Sequence, residues 1–118
     1  MGFVYVLQCQ RGPTRTLYVG STLRPVMARV QEHAAGRGGK YTARFDAVTL
    51  VALLEVPRAS ARSVEMHLKR NWHLVPDVVA YCQEGTRRPS IDRLEEWLRA
   101  HAGEFKWRPV PARAGGVP

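Results

Sequence analysis

The pattern of apolar and polar positions predicts three strands near the N-terminus and in the middle of the chain. Residues 3–9 are apolar on both faces, which is typical of a strand covered on both sides. Residues 16–20 form a second β-branched and aromatic run, and residues 48–56 form a third, which ends at Pro57. The stretch between the first two runs is rich in turn residues, so these two strands are expected to form a hairpin.

Helical spacing of apolar residues predicts four helices between and after these strands. We expect them over about residues 25–35, 60–72, 77–83 and 90–103. The first helix should bury a stripe of residues four apart, namely Val26, Val30 and Ala34. Ser60 and Ser90 are candidate N-caps. The predicted order is therefore ββαβααα, an α/β sandwich with a small, mostly antiparallel three-stranded sheet flanked by helices.

Length and charge restrict the class of protein. A chain of 118 residues is expected to form one domain. It has 18 Lys and Arg against 10 Asp and Glu, a formal charge of +8, which favours a polyanionic partner. That partner is usually nucleic acid and less often an anionic membrane, although the charge could also serve only solubility. We expect no membrane span or signal peptide, because the sequence has neither pattern.

Cys9 and Cys82 are the two cysteines of the chain. Neither lies in a C-x-x-C motif, so a structural zinc site is not predicted. Both lie in apolar stretches, and we expect buried thiols in a reducing compartment, with no disulfide partner. These features predict a cytoplasmic protein.

Five residues carry candidate chemistry. Tyr5 and Tyr18 lie in the two hairpin strands and can share one face of the sheet. Arg29 and His33 are four apart and share a helix face, and Glu65 borders the inner stripe of the second long helix. Phosphodiester hydrolysis needs a base for water, a cation for the phosphoryl oxygens and stabilisation of the leaving oxygen, often from a metal on a carboxylate. This set of side chains supplies all three.

Each of the five also has an ordinary structural interpretation. A strand tyrosine is most often a core aromatic. Arg29 has Glu32 three residues on, and Glu65 has Lys69 four residues on, which are spacings of common helix ion pairs. His33 could complement the dipole at the helix C-terminus. The catalytic hypothesis therefore depends on the joint occurrence and the order of the five residues.

That ordered set resembles the GIY-YIG nuclease family, over roughly residues 1–75. Phe3-Val4-Tyr5 stands where the family has Gly-Ile-Tyr, so only the tyrosine of that triplet is kept. Tyr18-Val19-Gly20 stands where the family has Tyr-Ile-Gly. The resemblance continues in Ser21-Thr22-Leu23, Arg29-Val30-x-x-His33, the Gly-Lys-Tyr-Thr of 39–42, and residues 62–69, which look like the family's glutamate helix.

The resemblance implies a role for each of the five residues. Tyr5 would activate the attacking water, and Tyr18 would order water or phosphate beside it. Arg29 would stabilise the pentavalent phosphate, and His33 would assist the tyrosine. Glu65 would be the single protein ligand of a divalent metal, Mg²⁺ with Mn²⁺ as a possible substitute, since Mg²⁺ accepts one carboxylate and several waters.

Substrate contacts are predicted from basic and aromatic side chains, a mixture that suits phosphates and stacked bases. The candidates are Lys40, Tyr41, Arg44, Lys69, Arg87 and Arg88. Lys106-Trp107-Arg108 has the same composition. For the C-terminal set, Arg87, Arg88 and residues 106–108, a solvated loop with a packed Trp107 is at least as strong an interpretation.

The resemblance predicts an Mg²⁺-dependent DNA endonuclease, acting on DNA whose strandedness the sequence leaves open. A nuclease-like domain is expected over residues 1–85, a helical extension packed on it over 86–108, and a flexible tail over 109–118. Two alternatives stay open: an inactive nucleic-acid-binding module with the same fold, and a protein-interaction domain whose basic face is incidental.

Overall fold

Four strands form one antiparallel sheet in a computed structural model that describes residues 1–110. They are β1 (Gly2–Arg11), β2 (Thr14–Thr22), β3 (Ala47–Val56) and β4 (Lys106–Arg108), in the spatial order β2-β1-β3-β4. The helices are α1 (Val26–Ala34), α2 (Ala61–Arg70), α3 (Val75–Glu84) and α4 (Pro89–His101). Short 3₁₀ turns cover Thr42–Arg44, Arg58–Ser60 and Trp72–Leu74. The predicted α/β class, with an antiparallel sheet flanked by helices, is confirmed.

The number of strands differs from the prediction, because β4 adds a fourth strand at the edge of the sheet. Its three residues pair with β3 from Leu53↔Arg108 to Glu55↔Lys106. A three-residue strand is too short to show a period of two in sequence. It forms here because α4 returns the chain to the free edge of β3, where backbone donors and acceptors are available for pairing.

The central position of β1 explains why residues 3–9 are apolar on both faces. Val4 and Val6 pack in the larger core with α2, α3 and α4, whereas Tyr5 and Leu7 pack in a smaller cluster beneath α1. The pairing of β1 with β3 shifts its register at Val6/Leu7. A bulge of this kind adds one residue to one strand and so keeps selected side chains on the same face.

The buried stripe of α1 differs from the predicted one at its last position. Val30 and His33 are buried and Val26 is half-buried, whereas Ala34 is exposed. At 3.6 residues per turn, the third member of the stripe falls seven rather than eight positions after the first. This rotation turns His33 under the sheet face that carries Tyr5.

The serine caps were predicted only in part. Ser60 is the N-cap residue of α2, but its hydroxyl donates to the carbonyl of Ala102, 3.2 Å away, rather than to the helix. The predicted cap at Ser90 is wrong, because α4 begins at Pro89 with Arg88 in the N-cap position. Proline is favoured in the first helical turn since its missing N–H would have no helical partner there.

The cysteines and the C-terminal segment complete the fold. Cys9 is buried and Cys82 is half-buried, and both are free thiols. The reducing, cytoplasmic location stays a prediction. Val110 is buried in the cluster beneath α1, although the flexible tail was predicted to begin at residue 109. The rest of that predicted tail, 111–118, lies outside the described residues. Within 1–110, no helix is long and apolar enough to cross a membrane.

Candidate active site

The two tyrosines lie on one face of the β1–β2 hairpin, as predicted. Tyr5 pairs with Gly20, and Tyr18 pairs with Leu7, two positions along β1 from Tyr5. The Tyr5 ring is 1% exposed and lies against Gly20. A Cβ on Gly20 would come within 2.6 Å of the Tyr5 phenol carbon and oxygen, so a larger residue would displace the ring. Gly20, which follows Tyr18-Val19, therefore leaves the space that the Tyr5 ring occupies.

His33, which projects from helix α1, is hydrogen-bonded to the hydroxyl of Tyr5. Its Nε2 lies 3.0 Å from the Tyr5 hydroxyl, and its Nδ1 lies 2.7 Å from Oγ1 of Thr42. The Tyr18 ring is tilted against the imidazole with 5.2 Å between centroids. Gly38 covers the ring so closely that a Cβ there would approach Nδ1 to 2.4 Å. The imidazole is thus fixed on every side that the structure describes.

The electrostatics of this pair favour neutral forms in the resting site. Burial lowers the pKa of His33, and the positive charge of Arg29 lowers it further. Burial raises the pKa of the Tyr5 phenol, while Arg29 opposes that rise. A neutral, buried imidazole does not complement the dipole of α1 as a cation would. It offers one acceptor nitrogen, which can receive the phenolic proton of Tyr5.

Arg29 is held in place by two partners on its own side of the site. Its guanidinium donates to Glu32 at 3.0 Å and to the carbonyl of Gly38 at 2.8 Å. Glu32 also binds Arg24, and the two guanidiniums, Arg24 above all, lower the pKa of Glu32 to about 2. The predicted helix ion pair therefore forms. It orients Arg29, whose side chain stays 26% exposed and beside Tyr5.

Glu65 approaches the same edge of the sheet from helix α2. One carboxylate oxygen accepts from the Ser21 hydroxyl at 2.5 Å, and the other accepts from the Lys69 ammonium at 2.6 Å. The glutamate side chain is 8% exposed, whereas Lys69 is 39% exposed. The Lys69 ammonium also lies 5.9 Å from the centroid of the Tyr18 ring, so this lysine lies close to both the Glu65 carboxylate and Tyr18.

The five predicted residues therefore come together at the outer edge of β2. Tyr5, Tyr18, Arg29 and His33 meet on the α1 face, and Glu65 reaches that edge from α2 on the opposite face. The charge of Glu65 is close enough to contribute, after burial, to the raised pKa of Tyr5. Within residues 1–110, no three His, Cys, Asp or Glu side chains cluster as metal ligands. Glu65 is the carboxylate among the five candidate residues that could hold a cation.

The predicted substrate-contact residues divide into two groups. Tyr41 stacks on Tyr18 with 5.8 Å between centroids, and the Arg44 guanidinium lies 5.7 Å from the Tyr41 ring centroid. Together with Lys69, these side chains lie beside the candidate site, and Lys40 is exposed on the same loop.

The structure does not bring Arg87 and Arg88 to this site. Arg87 forms ion pairs with Asp92 and Glu95, and Arg88 lies 3.8 Å from Asp77. Trp107 of β4 donates to the same Glu95, which places this group at the opposite edge of the sheet. Trp107 is half-buried and packs against the core, but residues 106–108 form strand β4 rather than the solvated loop of the alternative, and Arg108 pairs with Glu55.

Three residues of the site had no assigned role in the sequence analysis. Ser21 holds Glu65, Thr42 binds His33, and Gly38 both covers the imidazole and accepts from Arg29. Ser21 and Thr42 belong to motifs noted above, but Ser21 meets its partner across 44 positions in sequence. Only a structure could pair them.

Comparison with known proteins identifies the family of the chain. The model of the GIY-YIG catalytic domain matches residues 1–74, which include all five candidate residues. The chain therefore belongs to the GIY-YIG family, whose domain is of the nuclease type. It is 37% identical over 86 residues to a UPF0213 protein of Streptococcus sanguinis strain SK36, covering 72% of this chain and 92% of that relative. No solved structure matches the chain.

Proposed function

We propose that this chain is a metal-dependent endonuclease that hydrolyses phosphodiester bonds in DNA. One observation carries the proposal: the hydroxyl of buried Tyr5 is bonded to a buried His33 and lies beside Arg29. A core tyrosine needs only one partner for its hydroxyl. A phenol placed between a neutral base and a guanidinium can instead lose and regain a proton.

The proton path runs through Tyr5 and His33. Because burial raises the pKa of Tyr5, the phenol does not ionise unaided near neutral pH. Neutral His33 accepts the phenolic proton at Nε2, and Arg29 stabilises the phenolate. The phenolate then takes a proton from the attacking water while the oxygen of that water forms its bond to phosphorus. The bond from phosphorus to the leaving oxygen breaks and that oxygen takes a proton from solvent. Protonated His33 releases its proton to solvent, which restores the neutral pair. Tyr18, whose ring contacts His33, orders the water or phosphate.

Arg29 acts on the charge that develops on the phosphoryl oxygens. A guanidinium can donate two parallel hydrogen bonds to phosphate, a geometry that an ammonium lacks. Glu32 and Gly38 fix this guanidinium in advance, so little reorganisation is needed when the charge develops. This preorganisation is the reason to assign Arg29 a role in the transition state.

The residues present fit a divalent cation at Glu65. Carboxylate and hydroxyl oxygens are ligands that Mg²⁺ and Mn²⁺ accept, and Ser21 and Glu65 supply one of each. Lys69, more exposed than its partner, can exchange its place on the carboxylate for a phosphate contact. When bound, such a cation would neutralise the charge on the leaving oxygen.

The test is cleavage of labelled single-stranded, duplex and flap DNA with Mg²⁺, with Mn²⁺ or with EDTA. We expect nicking with either metal and none with EDTA. Tyr5→Phe protein, purified in the same way, is the control for contaminating nuclease. Binding without cleavage under all three conditions would favour the inactive DNA-binding module. Absence of binding, or binding that does not depend on salt, would favour a protein-interaction domain.

A further inference from the structure

Two large aromatic side chains are exposed beside the candidate site. Tyr41 is 40% exposed and Trp72 is 44% exposed. Both line one open groove of about 510 Å³ that also contains Tyr18 and Lys69. We call this the aromatic groove. Burying aromatic area is favourable, so two rings left partly in water on the same groove suggest a ligand.

The aromatic groove is continuous with the catalytic residues. Tyr18 contacts His33 on one side and stacks on Tyr41 on the other. Lys69 lines the groove while its ammonium is bound to Glu65. A polymeric ligand that runs from the candidate site into the groove would therefore pass only from one side of the Tyr18 ring to the other.

The local charge suits a polyanion. Lys69 lines the groove, and Arg44 lies over the Tyr41 ring. Among the described residues that line the groove there is no carboxylate. Apolar rings combined with cations are the composition that binds single-stranded nucleic acid, where bases stack on aromatic faces and phosphates pair with lysine and arginine.

We propose that the aromatic groove binds one unpaired nucleobase of the substrate strand, next to the phosphate that is cut. This inference rests on the proposed nuclease function and specifies its substrate class. A base inside a duplex is already stacked on its neighbours and is not available to Trp72. A flanking base that is unpaired can enter the groove, so strands with unpaired nucleotides should be bound and cut in preference to continuous duplex.

The experiment measures DNA affinity in EDTA, where no cleavage occurs, by fluorescence anisotropy. The probes are a labelled DNA strand of about 15 nucleotides, within the footprint of single-strand binders, and its fully paired duplex. We expect Trp72→Leu to weaken binding of the single strand by about fivefold to a hundredfold, the range for loss of one base–aromatic stack. Binding of the duplex should change less than about twofold. Trp72→Phe keeps an aromatic ring and should recover most of the affinity.

Met27→Ala is the matched control, since Met27 is 54% exposed but lines a different groove, between α1 and β3. It should bind both probes as the wild type does. Equal affinity of wild type and Trp72→Leu for the single strand would overturn the inference, as would an equal loss on the duplex. Cleavage with Mg²⁺ is measured in parallel. If the wild type never cuts but its single-strand affinity depends on Trp72, then the nuclease proposal fails and the base-binding groove stands.

Discussion

Among the described residues, two buried glutamates lie at opposite edges of one sheet, and their surroundings differ. Glu95, on the β4 side, is 4% exposed and binds Arg87, Arg99 and the indole N–H of Trp107. Glu65, on the β2 side, is 6% exposed as a whole residue and, within residues 1–110, binds the Ser21 hydroxyl and Lys69. Both have basic and aromatic neighbours, so composition alone does not tell them apart.

The difference lies in what surrounds each carboxylate. Glu95 accepts hydrogen bonds from Arg87 and Trp107 and has the Arg99 guanidinium 3.8 Å away, and no tyrosine–histidine pair lies beside it among the described residues. Glu65 accepts from one hydroxyl and one ammonium, and its charge is close enough to affect the pKa of Tyr5. The cleft beside Glu95, about 860 Å³, is larger than the aromatic groove of about 510 Å³. Cavity size and buried charge therefore do not distinguish the candidate site, whereas a buried carboxylate near the Tyr5–His33 pair and the Arg29 guanidinium does.

Exchanging each carboxylate for an amide gives the largest expected contrast. Glu65→Gln keeps an oxygen for Ser21 but removes the charge, and should lower the cleavage rate by about a thousandfold or more, because a bound metal supplies several kcal/mol. Glu95→Gln should keep the rate within about threefold but cost about 1–3 kcal/mol of unfolding free energy, the worth of hydrogen bonds to a charged group. Single-turnover cleavage and thermal unfolding of both variants decide this. Full activity in Glu65→Gln would end its assignment as metal ligand.

Removing one hydroxyl tests the tyrosine pair. Tyr5→Phe should reduce cleavage by about 10²–10⁴, the range for general acid–base groups. It leaves Nε2 of His33 without its partner, so we expect about 1 kcal/mol of destabilisation but a folded protein. Tyr18→Phe should reduce cleavage less, since its role is to order water or phosphate. Rates are compared at one metal concentration with circular dichroism as the folding control. Tyr5→Phe nicking at the wild-type rate would refute the proton path.

Arg29 and Arg24 offer a matched pair, because both bind Glu32. Arg29→Lys should slow single-turnover cleavage by about a hundredfold, in the range for loss of an oxyanion donor. Arg24→Lys, at a position 57% exposed, should change the rate by less than about threefold. Equal rates in the two variants would mean that Arg29 is an ordinary surface arginine.

The salt dependence of DNA binding should show a smaller difference between the β2 edge and the β4 edge of the sheet. Arg44→Ala and Lys40→Ala should each weaken binding and reduce the salt slope by about one. Arg87→Ala and Arg88→Ala should leave the slope unchanged, since these side chains pair with carboxylates at the other edge. Titrations at several salt concentrations measure the slope. A reduced slope in the Arg87 variant would extend the DNA surface to the β4 side.

The smallest expected effect is on the pH dependence of folding stability. Burial lowers the pKa of His33 below its unfolded value of about 6.5, so below that pH the unfolded chain binds more protons than the folded one. The unfolding midpoint should therefore fall as the pH drops from about 7 to about 5. His33→Gln should flatten this dependence. Burial also lowers the pKa of His67. The His67→Gln variant therefore measures how much of the pH dependence comes from His67 rather than from His33.

The sequence by itself determined much of the fold and the identity of the candidate residues. Periodicity located the three long strands and the four helices, because 3.6-residue and two-residue repeats are local properties of a buried face. The order of Tyr5, Tyr18, Arg29, His33 and Glu65 pointed to the GIY-YIG family before any contact was known. That information is carried by residue type and spacing along the chain.

Only the tertiary structure decided which of these residues meet, and through which partners. The short β4, the Ser21–Glu65 bond and the separation of Arg87 from the site depend on contacts between distant segments. The burial of His33 rather than Ala34 depends on the rotation of α1 on the sheet. Both buried glutamates, Glu65 and Glu95, have basic and aromatic neighbours. The distinction arises from which side chains packing brings to each carboxylate, which no local pattern records.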